Sequence, residues 1–203
     1  MLINNAIFEL KNYLDNNPNT AVVGSNLFSR NNKHISSYRY LEKNLKNEIK
    51  NNSLFNRIKV KIFKRRIDFN YSNKPLKIYG YVSGASFMIR KNIFDLIGGF
   101  DKDIFMYVEE SLLCYKVIND LKYNIYNIPS SKIIHFEGKS IKNSFIYYNM
   151  FLDGNYIYYK KLFGEKDAFK FIKRAYRIAN KKSKLYNYSK ICKNKLDSIK
   201  NNQ

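Results

Sequence analysis

The period of the apolar positions changes repeatedly along this chain, and each change marks an element. In NNAIFELKNYLDNNPN, Ile7, Leu10 and Leu14 share a helical face behind an asparagine suited to capping, and Asn-Asn-Pro-Asn closes the segment. TAVVGSNLF, Thr20 to Phe28, then reads as a strand interrupted by Gly24. A helix joined to a strand through a short Pro turn is half of an α/β repeat.

From Ser29 to Asn73 the chain turns polar and basic around IKVKIFKRRIDF. Ile58, Val60 and Ile62 alternate with Lys59 and Lys61 as in a strand, while Ile58, Ile62 and Arg65/Arg66 fit a helix about as well. The segment reads as a surface insertion or as a contact with an anionic membrane. A β pattern resumes in KIYGYVSGASFMIR, Lys77 to Arg90, where Gly80 and Gly84 mark a bulge or a close backbone approach. KNIFDLIGGF predicts a short helix stopped by Gly98-Gly99. Glu109 to Lys122 predicts a helix with the stripe Leu113, Val117 and Leu121. YNIYNIP and SKIIHF predict two short strands around Pro129.

After Ser140 the pattern is helical and aromatic. Phe145, Tyr148, Leu152, Ile157 and Leu162 punctuate the first segment. KDAFKFIKRAYRIANKK is a basic amphipathic helix with Phe169, Ile172 and Tyr176 on its apolar side, and LYNYSKICKNKLDSIKNNQ is a last helix. The expected architecture is α/β: residues 1–140 form a mixed sheet with flanking helices, and residues 141–203 a basic aromatic helical extension. Within the sheet, strands over Gly80–Arg90 and Asn124–Phe136 are expected to pair, with the Glu109–Lys122 helix packed on them.

Composition adds two constraints. At 203 residues and 45% hydrophobic the chain can bury a core, which excludes a disordered chain. The formal net charge of +21 favours polyanions such as nucleic acid, an anionic membrane or phosphorylated substrates. Only 8 of the 37 basic residues are Arg, however, and Lys, Asn, Ile, Tyr and Phe all have AT-rich codons, so genome composition alone can produce such a bias. Cys114 and Cys192 are too few for a disulfide framework or a zinc site and read as reduced thiols of a cytosolic protein. MLINNAIFELKN lacks the pattern of a signal peptide, and no run approaches the ~20 apolar residues that span a bilayer.

The candidate chemistry lies between Gly98 and Ser140, where two adjacent carboxylates, Glu109 and Glu110, open a helix and His135 ends a strand. The helix dipole by itself favours acids at such a position by ~0.3–1 kcal/mol each, and a lone strand-end histidine is ordinarily held by a local hydrogen bond. The order of the parts points further. GASFMIR, GGFDKDIFMYVEESLLC, KYNIYNIP and KIIHFEGKS follow one another. This series resembles the C-terminal half of family-2 glycosyltransferases of the GT-A fold, in particular the bacterial rhamnosyltransferase-like members, clearly from Gly80 to Ser140 and more weakly on either side.

The resemblance implies a partial GT-A-like, Rossmann-like sheet and inverting sugar transfer from a nucleotide-sugar donor to a cell-surface glycan precursor or lipid-linked acceptor. It gives Glu110 the role of general base and Glu109 that of orienting the acceptor or supporting the loop. It gives His135 a share in holding a divalent metal, Mg or Mn, on the donor diphosphate, and places Gly84 and Asp101 near the acceptor. Glu110 stands where an Asp is usual, and Ser111-Leu112-Leu113 replaces the usual x-D-L. The donor-binding half with its D-x-D motif is expected before Met1, so metal and donor binding are expected only when that half is supplied, as by a separate chain. The reduced thiols give the expectation of a cytoplasmic location, and any contact with the cell membrane is expected at the surface of its inner face. The contrasting expectation is a catalytically inert basic module on a membrane surface or on nucleic acid; no nucleic-acid-binding motif supports the latter.

Overall fold

The structure, a computed structural model, describes residues 1–40, 73–136, 144–181 and 186–201. The IKVKIFKRRIDF segment lies outside them. Helix α1 (Ala6–Asn16) leads to strands β1 (Thr20–Phe28), β2 (Tyr38–Tyr40), β3 (Leu76–Lys77), β4 (Gly80–Val82) and β5 (Phe87–Ile89). Helix α2 (Lys91–Leu96), helix α3 (Glu109–Asn119) and strand β6 (Asn124–Ile134) follow, and then helices α4 (Ser144–Phe163), α5 (Glu165–Asn180) and α6 (Tyr186–Asn201). The described residues are thus mixed α/β and divide into two compact units. One gathers α1, all six strands, α2 and α3 from Glu110 onward; the other gathers 102–109 with the C-terminal helices.

In the first unit four strands form a mixed sheet in the order β3-β6-β1-β5. β1 runs parallel to β6 and antiparallel to β5, and β3 is antiparallel to β6. Every residue of β1 is buried, as befits a central strand covered on both faces. Toward α1, Val23 and Ile128 pack on Leu10 and Leu14. Val22 and Ile125 instead join Val82, Leu113, Cys114 and Val117, which bring α3 onto the sheet.

Four expectations change. Gly80–Arg90 is not one strand: β4 pairs with β2 in a separate two-stranded sheet, and only β5 joins the sheet that holds β6. The two strands expected around Pro129 are one, because β6 absorbs the proline in a bulge, with Ser25 opposite Ile128 and Asn26 opposite Lys132. On α1 the buried stripe is Ala6, Leu10 and Leu14, while Ile7 is 57% exposed. α3 ends at Asn119 rather than Lys122, whose φ of 60° serves the reversal into β6.

Arg90, part of the GASFMIR motif, has a structural task. Its Nε donates to Thr20 O at 2.8 Å, and its Nη2 to the carbonyls of Leu14 and Asn17, fastening the end of α1 to the sheet.

The second unit is helical, as expected. α4 is continuous through Gly154 and ends at Gly164, whose φ of 86° turns the chain into α5. α5 packs against both α4 and α6, burying Ala168, Ile172 and Ala179. Along α4 Phe145 is 57% exposed, whereas Leu152 and Tyr159 are buried. Among the described residues no helix is long and apolar enough to cross a membrane.

Candidate active site

α3 leads into β6 through a short reversal, so its first turn lies toward the carboxyl ends of the parallel strands β1 and β6. Open α/β sheets bind ligands outside that end of their strands. Two of the residues singled out in the sequence meet here. A side chain built on Gly84 would begin 3.7 Å from the carboxyl carbon of Glu110 and 3.8 and 3.9 Å from its two oxygens. Gly84 is exposed and Glu110 half-buried, so the carboxylate faces a backbone surface free of side-chain bulk.

The loop that carries Gly84 is anchored from beneath. Ser83 N donates to Ser37 O at 2.8 Å, and Ser86 Oγ donates to Ser25 Oγ at 2.6 Å. Ser25 Oγ lies 2.5 Å from Ser131 Oγ, which donates to Ala6 O. This buried hydroxyl chain joins the β4–β5 loop, β1, the β6 bulge and α1. Beside it, Asn127 Nδ2 donates to Asn26 Oδ1 at 2.5 Å.

Glu109 begins α3. Burial raises its carboxyl above the usual carboxylate range, partly offset by its own backbone N–H, and its Oε2 is buried without a partner. The backbone just before it is strained: Tyr107 and Val108 have φ of 68° and 66°, a region costly for bulky and β-branched residues. α4 is fitted to this segment through Gly154, where a β-carbon would stand 2.8 Å from Tyr107 O and 3.2 Å from Met106 O. The ring of Tyr107 packs edge-on against Tyr147 of the same helix. Sequence reasoning missed Tyr107, Val108 and Gly154, because nothing in MYVEE marks left-handed backbone and a lone glycine in a helix carries no distinctive signal.

The other candidates are placed by different contacts. His135 follows β6 directly, and its N–H donates to Phe28 O at 2.8 Å, extending the parallel ladder by one bond. Asp101 lies just beyond the turn made by Gly98 and Gly99, with φ of 76° and 73°. Cys114 is buried behind Glu110, and burial pushes its thiol up, so it is neutral packing rather than a nucleophile.

The residues described do not compose a metal centre. No group of three His, Cys, Asp or Glu among the described residues is placed to hold an ion.

No protein-family model matches the chain, and no curated protein matches it.

Proposed function

We propose that the chain is the acceptor-side half of a GT-A-type glycosyltransferase, of the rhamnosyltransferase-like family-2 kind, acting on a nucleotide-sugar donor and a cell-surface glycan precursor. The observation that carries this reading is the juxtaposition of Glu110 with Gly84, two motif residues far apart in sequence whose meeting leaves a carboxylate over an open glycine. The motif order and the mixed sheet of β1, β5 and β6 are consistent with it.

In this reading an acceptor hydroxyl enters over Gly84 and hydrogen-bonds to Glu110. The carboxylate takes the hydroxyl proton as the acceptor oxygen bonds to the anomeric carbon, and the bond from that carbon to the donor diphosphate breaks with its electron pair. Attack opposite the leaving group inverts the anomeric centre. Glu109, whose carboxyl is raised by burial, has the part of shaping the loop that delivers Glu110. A divalent metal on the diphosphate and His135 beside it belong to the same proposal, with the remaining ligands supplied from outside the described residues.

The test is nuclear magnetic resonance of the chain titrated with saccharides and lipid-linked oligosaccharides. Shifts confined to Gly84, Ala85 and Glu110 are expected, and shifts only elsewhere would refute the acceptor site. Where transfer is assayed with a donor-binding half supplied, Glu110→Gln is expected to lower kcat by ~10²–10⁴-fold. Near-wild-type turnover would reduce the acidic pair to a helix cap.

A further inference from the structure

The exposed face of α5 is basic almost throughout. Beyond Glu165 its exposed positions are Lys166, Lys170, Lys173, Arg174, Arg177 and Asn180. Lys170, Lys173, Arg174 and Arg177 follow one another at i, i+3, i+4 and i+7 and line a shallow concavity of about 410 Å³. Like charges at these spacings repel and destabilise the helix that carries them. Lys170 is relieved by Asp167 at 2.6 Å, whereas among the described residues Lys173, Arg174 and Arg177 form no ion pair.

A second feature adjoins the stripe. Phe169, Tyr176 and Leu196 line a cleft of about 240 Å³ between α5 and α6, rimmed by Lys173, Arg177 and Lys200 and walled mainly by apolar atoms. We infer that this face of α5 and α6 docks on the surface of an anionic phospholipid bilayer. The stripe meets the headgroup phosphates while the cleft seats the apolar part of a lipid beneath them.

Charge and shape both select this occupant. A second copy of the same face would bring cations against cations. Nucleic acid would satisfy the stripe through its phosphates, but it would leave the apolar cleft unused, since the half-buried Phe169 and Tyr176 do not present open faces for stacking bases. A bilayer supplies anion and hydrocarbon at the depths this face requires, with the long basic side chains reaching outward along it. The inference stands on the second unit alone and does not depend on the glycosyl-transfer reading.

The experiment is co-sedimentation of the whole chain with vesicles of phosphatidylcholine alone, or of phosphatidylcholine and phosphatidylglycerol in equal parts, at physiological salt. Binding to the anionic vesicles only is expected. The triple variant Lys173→Gln, Arg174→Gln, Arg177→Gln should weaken it on the order of 100-fold, at roughly fivefold for each charge near the surface. Lys11→Gln, Lys33→Gln, Lys102→Gln removes the same charge from exposed positions elsewhere and should weaken it far less. Equal losses in both variants would make the effect one of net charge and overturn the site. So would failure of the wild type to bind, or tighter binding of duplex DNA through the same three residues. The chain has no tryptophan, so Tyr176→Trp places a single reporter in the cleft. Its emission should shift to the blue on anionic vesicles and be quenched by brominated acyl chains; an unchanged spectrum on bound protein would refute the seating of lipid in the cleft.

Discussion

The carboxyl carbon of Glu110 lies 3.7 Å from the point at which a side chain on Gly84 would begin. That distance is ordinary van der Waals contact, so a methyl group fits and a larger side chain must lie across the carboxylate. Gly84→Ala is therefore expected to fold with unchanged or slightly greater stability, by up to ~1 kcal/mol, because the unfolded chain loses freedom. Gly84→Leu should keep its stability within about 0.5 kcal/mol, since the position is exposed, but lose saccharide binding. Urea denaturation and saccharide titration of the two variants separate these effects. Full binding by Gly84→Leu would mean that Glu110 is not approached from this side.

Gly154 should show the opposite sign to most helix glycines. In an open helix interior, alanine is favoured over glycine by ~1 kcal/mol. Here the added methyl group would stand 2.8 Å from Tyr107 O, a backbone atom that can yield only with the loop. Gly154→Ala is expected to destabilise the chain by roughly 1–3 kcal/mol, the cost of overpacking. A chemical denaturation midpoint above that of the wild type would contradict the close fit of α4 to the Met106–Val108 segment.

The raised pKa of Glu109 makes a statement about pH. The folded state holds this proton more tightly than the unfolded state does, because burial disfavours the charge. Between the ordinary carboxylate range and the higher folded value the folded state thus binds more protons, and stability falls as pH rises through that window. Glu109→Gln removes the titration. It is expected to flatten this part of the stability profile and to gain on the wild type toward neutral pH, as read by thermal unfolding across a pH series. A wild-type profile that rises through the window faster than that of the variant would reverse the assignment.

The hydroxyl chain beneath the Gly84 loop should be felt as stability. Ser25→Ala breaks the bond to Ser86 and the bond to Ser131 together. Ser131 keeps Ala6 O, while the buried Ser86 loses this partner. A loss of ~1–3 kcal/mol is expected, the cost of a buried polar group left unpaired. A variant as stable as the wild type would show that water replaces the missing hydroxyl.

Local chemistry by itself determined the elements that satisfy themselves along the chain. The strand from Thr20 to Phe28, the short helix closed by Gly98-Gly99 and the amphipathic helix around Ile172 each carry their own period or stop signal, and each stands where that signal puts it. The acidic pair and its helix were legible for the same reason. What only the tertiary structure decided involves partners distant in sequence. KIYGYVSGASFMIR reads as one β stretch, yet β4 finds its hydrogen bonds on β2 and β5 finds them on β1, because strand pairing is settled by backbone groups outside the segment. Pro129 looked like a boundary, but β1 continues alongside β6, and a bulge keeps the ladder at the expense of three unpaired residues, Pro129 to Ser131. Ala6 rather than Ile7 is buried because the packing of α1 on β6 and β1, not hydrophobicity alone, selects the buried stripe. The meeting of Glu110 with Gly84, and of Gly154 with Tyr107, arises from packing between elements, and residue-level propensities carry no term for it.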